Sequence, residues 1–268
     1  MLMRLAAMLL GLAMLGGVAG AAAAPPPSLY LEDLTWTELR DAVAHGHTTI
    51  ILPVGGTEQS GPDMALGKHN ARARALAGRI AAELGNALVA PVLAYVPEGN
   101  YDPPTQHMRF PGTISVPADA FRKILEGAAR SFRLAGFRDI VLIGDHGGYQ
   151  KDLEAVAERL DREWQKTPVR VHAVTAYYRA SETTYVEALK AQGFTAQEIG
   201  THAGVADTSL MLAVDPHLVR LERLRSDTAG AAAGVYGDPR RSSAEAGKPG
   251  VDAMVAAAVA AIRKDTAR

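Results

Sequence analysis

Thr49-Ile50-Ile51-Leu52-Pro53-Val54 is an apolar, largely β-branched run stopped by Gly55-Gly56, and Asp139-Ile140-Val141-Leu142-Ile143 is a second such run stopped by Gly144. Neither alternates polar with apolar residues, so neither is a strand with one wet face. Each reads as a strand buried on both sides, the mark of a parallel sheet covered by helices. Residues 71–84, 121–134, 152–164 and 252–263 carry helical periodicity, as do residues 30–44, where Thr37 is placed to cap Glu38 onward. Residues 87–93 and 169–174 read as further strands, 203–214 as a strand or a helix, and 229–249 as glycine-rich coil. Strands alternating with helices predict an α/β fold, a three-layer α/β/α arrangement around a mostly parallel central sheet. Its chemistry then belongs in the loops at the carboxyl ends of the strands.

Composition narrows that chemistry. The chain has 268 residues, 48% hydrophobic and 21% charged, with a net charge of −1, so it offers no electrostatic footprint for nucleic acid. It has no cysteine, which excludes thiol nucleophiles, disulfides and cysteine-based metal sites and leaves His, Asp, Glu, Ser, Tyr and Lys to act. Residues 1–24 read as a secretory signal peptide: Arg4, an apolar stretch from Leu5 to Leu15, and a small-residue tail with Ala21-Ala22-Ala23 fitting the small-x-small cleavage rule. The expectation is an exported protein, periplasmic or secreted, with no membrane attachment after cleavage, whose single domain spans residues 25–268.

Among the histidines, His69 closes the loop 57–68 that carries Glu58, His146 lies just after the 139–143 run, and His202 lies in a later loop. Imidazoles and a carboxylate converging from strand ends suit Zn²⁺, with Mn²⁺ or Fe²⁺ as alternatives, although a lone loop histidine is more often a surface or hydrogen-bonding residue. His45, His47, His172 and His217 keep that plainer reading. In Gly144-Asp145-His146-Gly147-Gly148 the glycines allow a tight turn and close ligand approach, with Asp145 as a hydrogen-bonding partner behind the histidine. Lys68 either repels a cation bound nearby or pairs with an acid. The long Pro- and Gly-containing loop from Tyr95 offers Glu98, Asn100, Tyr101 and Asp102 as substrate contacts, or serves as a surface or subunit-contact loop.

Four stretches, in order, resemble the signatures of the creatininase (creatinine amidohydrolase) family: Leu52-Pro53-Val54-Gly55-Gly56-Thr57-Glu58-Gln59-Ser60-Gly61-Pro62, His107-Met108-Arg109-Phe110-Pro111-Gly112-Thr113-Ile114-Ser115, Gly144 to Gly148, and the stretch from His202 to Leu212. Tyr236-Gly237-Asp238-Pro239 resembles the family's C-terminal turn. The resemblance implies a creatininase-like α/β/α fold, frequently a homohexamer, and a two-metal centre that hydrolyses C–N bonds of small cyclic or linear amides. This sequence departs from the pattern: Ser60 stands for a histidine ligand, His69 for the aspartate that bridges the metals, Gly148 for a carboxylate, and Val205 and Asp207 for two glutamates. What remains is one metal, Zn²⁺ first among the options, on Glu58, His69 and His146. The resemblance further implies His202 and Asp207 as catalytic residues and His107, Ser60 and Asp145 as substrate contacts. The expected activity is metal-dependent hydrolysis of a non-peptide amide. The alternative is a family member without catalysis that binds a small ligand or partner in the old pocket.

Overall fold

A computed structural model describes residues 25–224 and 230–267; the expected signal segment lies outside the described residues. Four strands, β1 (Thr49–Val54), β2 (Ala87–Val89), β3 (Asp139–Gly144) and β4 (Arg170–Ala173), form one parallel sheet in the order β2-β1-β3-β4. The two apolar runs, β1 and β3, are the central neighbours, paired from Thr49 with Asp139 to Val54 with Gly144. β2 is shorter than the pattern 87–93 predicts because Pro91 lacks an N–H; pairing resumes only as a single bridge from Leu93 to Val54.

Strand alternation sends side chains to opposite faces, and each face has its own helices. Ile50, Leu52, Ile140 and Leu142 pack with α1 (Trp36–Ala44), α3 (Ala118–Leu134) and α4 (Gln150–Glu163). Ile51, Val89, Val141 and Ile143 pack with α2 (Lys68–Leu84), α5 (Ala176–Glu182), α6 (Thr184–Ala191), α7 (Ala196–Ile199), α8 (Val205–Val214) and α9 (Ala244–Thr266). The result is the expected three-layer α/β/α arrangement. Since α2 covers one face and α4 the other, the winding reverses between β1 and β3, and the loops leaving those two strands diverge from a topological switch point.

Two local readings change and one open alternative is resolved. The cap of α1 is Thr35 rather than Thr37: Thr35 Oγ1 accepts from the Glu38 N–H while Glu38 accepts from the Thr35 N–H, a reciprocal capping box. Residues 205–214 are helix, buried along most of their length. The stretch read as coil to Pro249 is helical from Ala244, capped by Ser243, and its glycines mark a close crossing of α8 by α9. A Cβ on Gly247 would lie 1.9 Å from the Ser209 carbonyl oxygen, and one on Gly250 2.6 Å from Tyr185 Cγ.

Gly247→Ala is therefore expected to lose about 3 kcal/mol, the upper end for overpacking. Gly127→Ala, inside α3 with nothing within 4 Å of the added Cβ, is expected to gain up to about 1 kcal/mol from helix propensity. Urea unfolding midpoints of the two variants should move in opposite directions.

Candidate metal centre

Both loops at the switch point begin with glycines that bring backbone close to side chains. A Cβ on Gly56, whose φ is +150°, would lie 2.7 Å from Glu98 Oε1. Two residues on, Glu58 is completely buried. Its Oε1 lies 2.7 Å from His69 Nε2 and 3.4 Å from Lys68 Nζ; its Oε2 lies 3.2 Å from His107 Nε2 and 3.5 Å from His146 Nε2. Glu98, 1% exposed, faces the same point, with Oε2 3.8 Å from His146 Nε2. Ligand atoms of Glu58, Glu98, His107 and His146 all lie within 4.8 Å of one another.

These four side chains reach one spot because the loops are tied together. The Ile114 N–H donates to the Thr57 carbonyl, the Gln59 N–H to Thr113 Oγ1, and the Glu98 N–H to Ser115 Oγ. Thr113-Ile114-Ser115 thus stitches the Glu58 loop to the Glu98 loop. On the β3 side, the Tyr149 hydroxyl reaches the Val54 and Gly55 carbonyls and accepts from the N–H groups of Asp145 and His146. The Gly148 nitrogen lies 3.1 Å from His146 Nδ1 and the Gln59 amide nitrogen 3.0 Å from His107 Nδ1, and Nε2 of each ring faces Glu58.

Behind the cluster lies a second set of charges. Asp145 is bound by Arg72, by His69 Nδ1 at 2.7 Å and by the Tyr177 hydroxyl at 2.7 Å. Asp207 is bound by Lys68 Nζ and Arg72 and accepts from the Ala203 N–H. Burial would push Glu58 and Asp207 upward, but Lys68 with His69 for the first, and Lys68 with Arg72 for the second, hold both well below the usual carboxylate range. Burial lowers His146 to about 4 and, with the Lys68 charge, His202 to about 3. Glu98 goes the other way, up to about 9, because it is buried and faces the Glu58 carboxylate.

Glu58, His69 and His146 do lie together, but both nitrogens of His69 are spent, one on Asp145 and one on Glu58. His202 sits across the cluster, its ring centroid 4.5 Å from that of His107 and Nδ1 3.7 Å from Glu58 Oε1. His107, Asp145, His146, His202 and Asp207 line a cavity of about 740 Å³. Ser60, 2% exposed, is not part of that lining. His107, expected as a substrate contact, faces Glu58 within the cluster, and two further residues gain a place that the sequence did not announce. Glu98 was one of four polar residues in its loop, and Arg72 is a charged residue on the buried stripe of α2. Lys68 pairs with acids.

Glu58 Oε2, with only the Nε2 atoms of His107 and His146 beside it, and both oxygens of Glu98 are buried without a well-formed hydrogen bond. Buried carboxylate oxygens without donors are costly, and two imidazoles beside them complete a donor set suited to a divalent metal. Glu58, Glu98, His107 and His146 therefore fit such an ion.

In the presence of chelator, folded Glu98 holds a proton between about pH 4.5 and 9 that the unfolded chain has lost, so stability should fall as pH rises through that window. Glu98→Gln cannot ionise. At pH 8 with EDTA it is expected to exceed the wild type by on the order of 3 kcal/mol, while gaining less Tm than the wild type from added Zn²⁺ or Mn²⁺. A wild-type Tm that is flat from pH 6 to 8 in EDTA would contradict this account of Glu98.

Comparison with known proteins agrees with the motifs. The creatininase family, described as creatinine amidohydrolase, matches residues 32–262. Creatinine amidohydrolase of Pseudomonas putida is 30% identical over 203 residues, covering 74% of this chain and 76% of that protein. The mycofactocin precursor peptide peptidase of Mycolicibacterium smegmatis is 28% identical over 221 residues, covering 74% and 78%. A crystal structure of creatinine amidohydrolase superposes with a TM-score of 0.74 at 27% identity, covering 89% of this chain and 98% of that one. With the family match running from residue 32 into the last helix and the same layered sheet beneath it, this chain belongs to the creatininase family.

Proposed function

We propose that the chain is an exported amidohydrolase that uses a single divalent metal to hydrolyse a C–N bond in a small cyclic or linear non-peptide amide. The observation that carries this reading is the convergence of Glu58, Glu98, His107 and His146 on one another, with the two histidines of the cluster also lining a cavity of about 740 Å³. Glu58 and His146 keep the ligand roles expected of them, Glu98 and His107 complete the set, and His69 orients Glu58 from behind. Zn²⁺ is the first choice for this donor set, with Mn²⁺ or Fe²⁺ as alternatives. When bound, the metal supplies Lewis-acid polarisation of the amide carbonyl and lowers the pKa of a water.

His202 is the proton carrier. Its Nε2–H donates to the Gln59 carbonyl at 2.9 Å, which leaves the Nδ1 lone pair turned toward Glu58 and the cavity. Burial and the Lys68 charge lower its pKa to about 3, so it is neutral at physiological pH and must accept a proton before handing one to the leaving nitrogen. Asp207, held ionised by Lys68 and Arg72, anchors the Ala203 N–H and so fixes the loop bearing His202. Ala203 follows in a left-handed conformation, φ +53°, a strained backbone held where the proton carrier is presented. Asp145 holds His69 and Arg72 at the cavity wall.

Export rests on Arg4, the apolar run and the small-residue tail, and a homohexamer on the family resemblance. N-terminal sequencing of the chain from a periplasmic fraction should begin within or just after the Ala21–Ala24 stretch.

EDTA is expected to abolish hydrolysis in a panel of lactams and linear amides, and about one equivalent of metal to restore it. His146→Ala should lose both metal and turnover. His202→Ala should keep its metal while kcat falls by roughly 10²–10⁴. Turnover of short peptides but not of small amides would overturn the substrate class, and a chain that takes up no Zn²⁺ or Mn²⁺ would overturn the reading altogether.

A further inference from the structure

Lys68 opens α2, and its side chain is 1% exposed. Nζ hydrogen-bonds Asp207 Oδ2 and lies 3.4 Å from Glu58 Oε1. The Glu58 carboxylate is thereby shared: Oε2 belongs to the ligand cluster with His107 and His146, and Oε1 faces Lys68 and His69. Arg72 does not compete for the same position, because it is committed to Asp145 and to the other oxygen of Asp207.

Formal charge points the same way. Ionised Glu58, Glu98, Asp145 and Asp207 bring four negative charges to this part of the chain, and Lys68, Arg72 and His69, whose two nitrogens both face carboxylates, return three positive ones. One divalent ion on the ligand cluster already more than offsets the remaining negative charge. An ammonium is a compact point charge, and this one stands where Glu58 and Asp207 would otherwise face each other across the space it fills.

We propose that Lys68 is a built-in cation occupying a second cation position of this centre, between Glu58 and Asp207, and that its presence limits the chain to one divalent metal. The inference rests on the single-metal reading above. It differs from an ordinary buried ion pair in one respect: with the ammonium gone, a divalent ion should take its place.

The test is a metal titration of the purified chain and its Lys68→Ser variant, stripped with chelator and titrated with Mn²⁺ and separately with Zn²⁺. Bound metal is counted by elemental analysis and folding is followed by thermal melting. The expected result is one ion per chain for the wild type and two for Lys68→Ser, with the second ion raising the variant's Tm. Lys68→Ser leaves two buried carboxylates without their cation, so Lys68→Ser/Asp207→Asn is measured beside it; it should fold and return to one ion per chain.

Wild type at one and Lys68→Ser also at one would overturn the inference and leave the single-metal reading standing. A Lys68→Ser variant that stays unfolded with metal present, while the double variant folds, counts against it equally. Two ions in the wild type, or in the double variant, overturn it as well. No metal in the wild type, whatever the variants bind, defeats the metal reading and this inference with it.

Discussion

The carboxylate of Glu58 has no water to turn to. Burying a charge so completely is tolerable only if other groups compensate it, and here Lys68 and His69 from the start of α2 do most of that, while His107 from the long loop, His146 from the end of β3 and His202 from the loop before α8 bring ring nitrogens within 3.7 Å of the same carboxylate. Each must arrive with its polar atom within a few ångströms of one carboxylate. The packing of α2 on the sheet, the turn after β3 and the path of the long loop are all constrained by that requirement. Removing Glu58 would strand a lysine and disengage a histidine as well as opening the carboxylate–imidazole cluster.

The layered fold was legible because burial on both faces of a strand leaves a plain trace: unbroken apolar runs at residues 49–54 and 139–143, each ended by glycine. Much of the site was legible for a related reason. Glu58 and His146 follow directly on those runs, so strand ends dictate where they lie. Glu98 was not legible as a member of the cluster, since it arrives near the middle of a loop whose course depends on its own N–H donating to Ser115 Oγ, on that hydroxyl donating to the Gly99 carbonyl and on the Val116 N–H donating to the Val96 carbonyl, contacts that no local pattern announces. Arg72 left a signal that went unused. The buried stripe of α2 runs through Arg72, Ala73, Leu76, Ala77, Ile80 and Ala81, and an arginine in register with such a stripe must have buried acids to meet.

Helix α9 shows the opposite failure. Gly247, Pro249 and Gly250 look like coil to any propensity argument, yet they lie in a capped helix because tertiary packing against α8 rewards the missing side chains more than propensity penalises them. His69 illustrates a subtler limit. Sequence order puts it beside Glu58, and so it is, but adjacency says nothing about which of its two nitrogens remains open. The answer was decided by Asp145, seventy-six positions later in the chain.

The phenol of Tyr149 touches none of the ligand cluster's oxygens, yet it joins the carbonyls at the end of β1 to the amides at the start of the β3 turn. Adjacent strands in a parallel sheet can shear slightly along their length, and a displacement of a few tenths of an ångström would alter the separation between Glu58 and His146 by a similar amount. With one hydroxyl pinned to both strand termini, that sliding degree of freedom is locked at the place where it would do most harm. The residue acts as a mechanical gauge: it sets the spacing of the coordinating groups without taking part in their chemistry, and thereby decouples ligand geometry from the looser motions of the sheet.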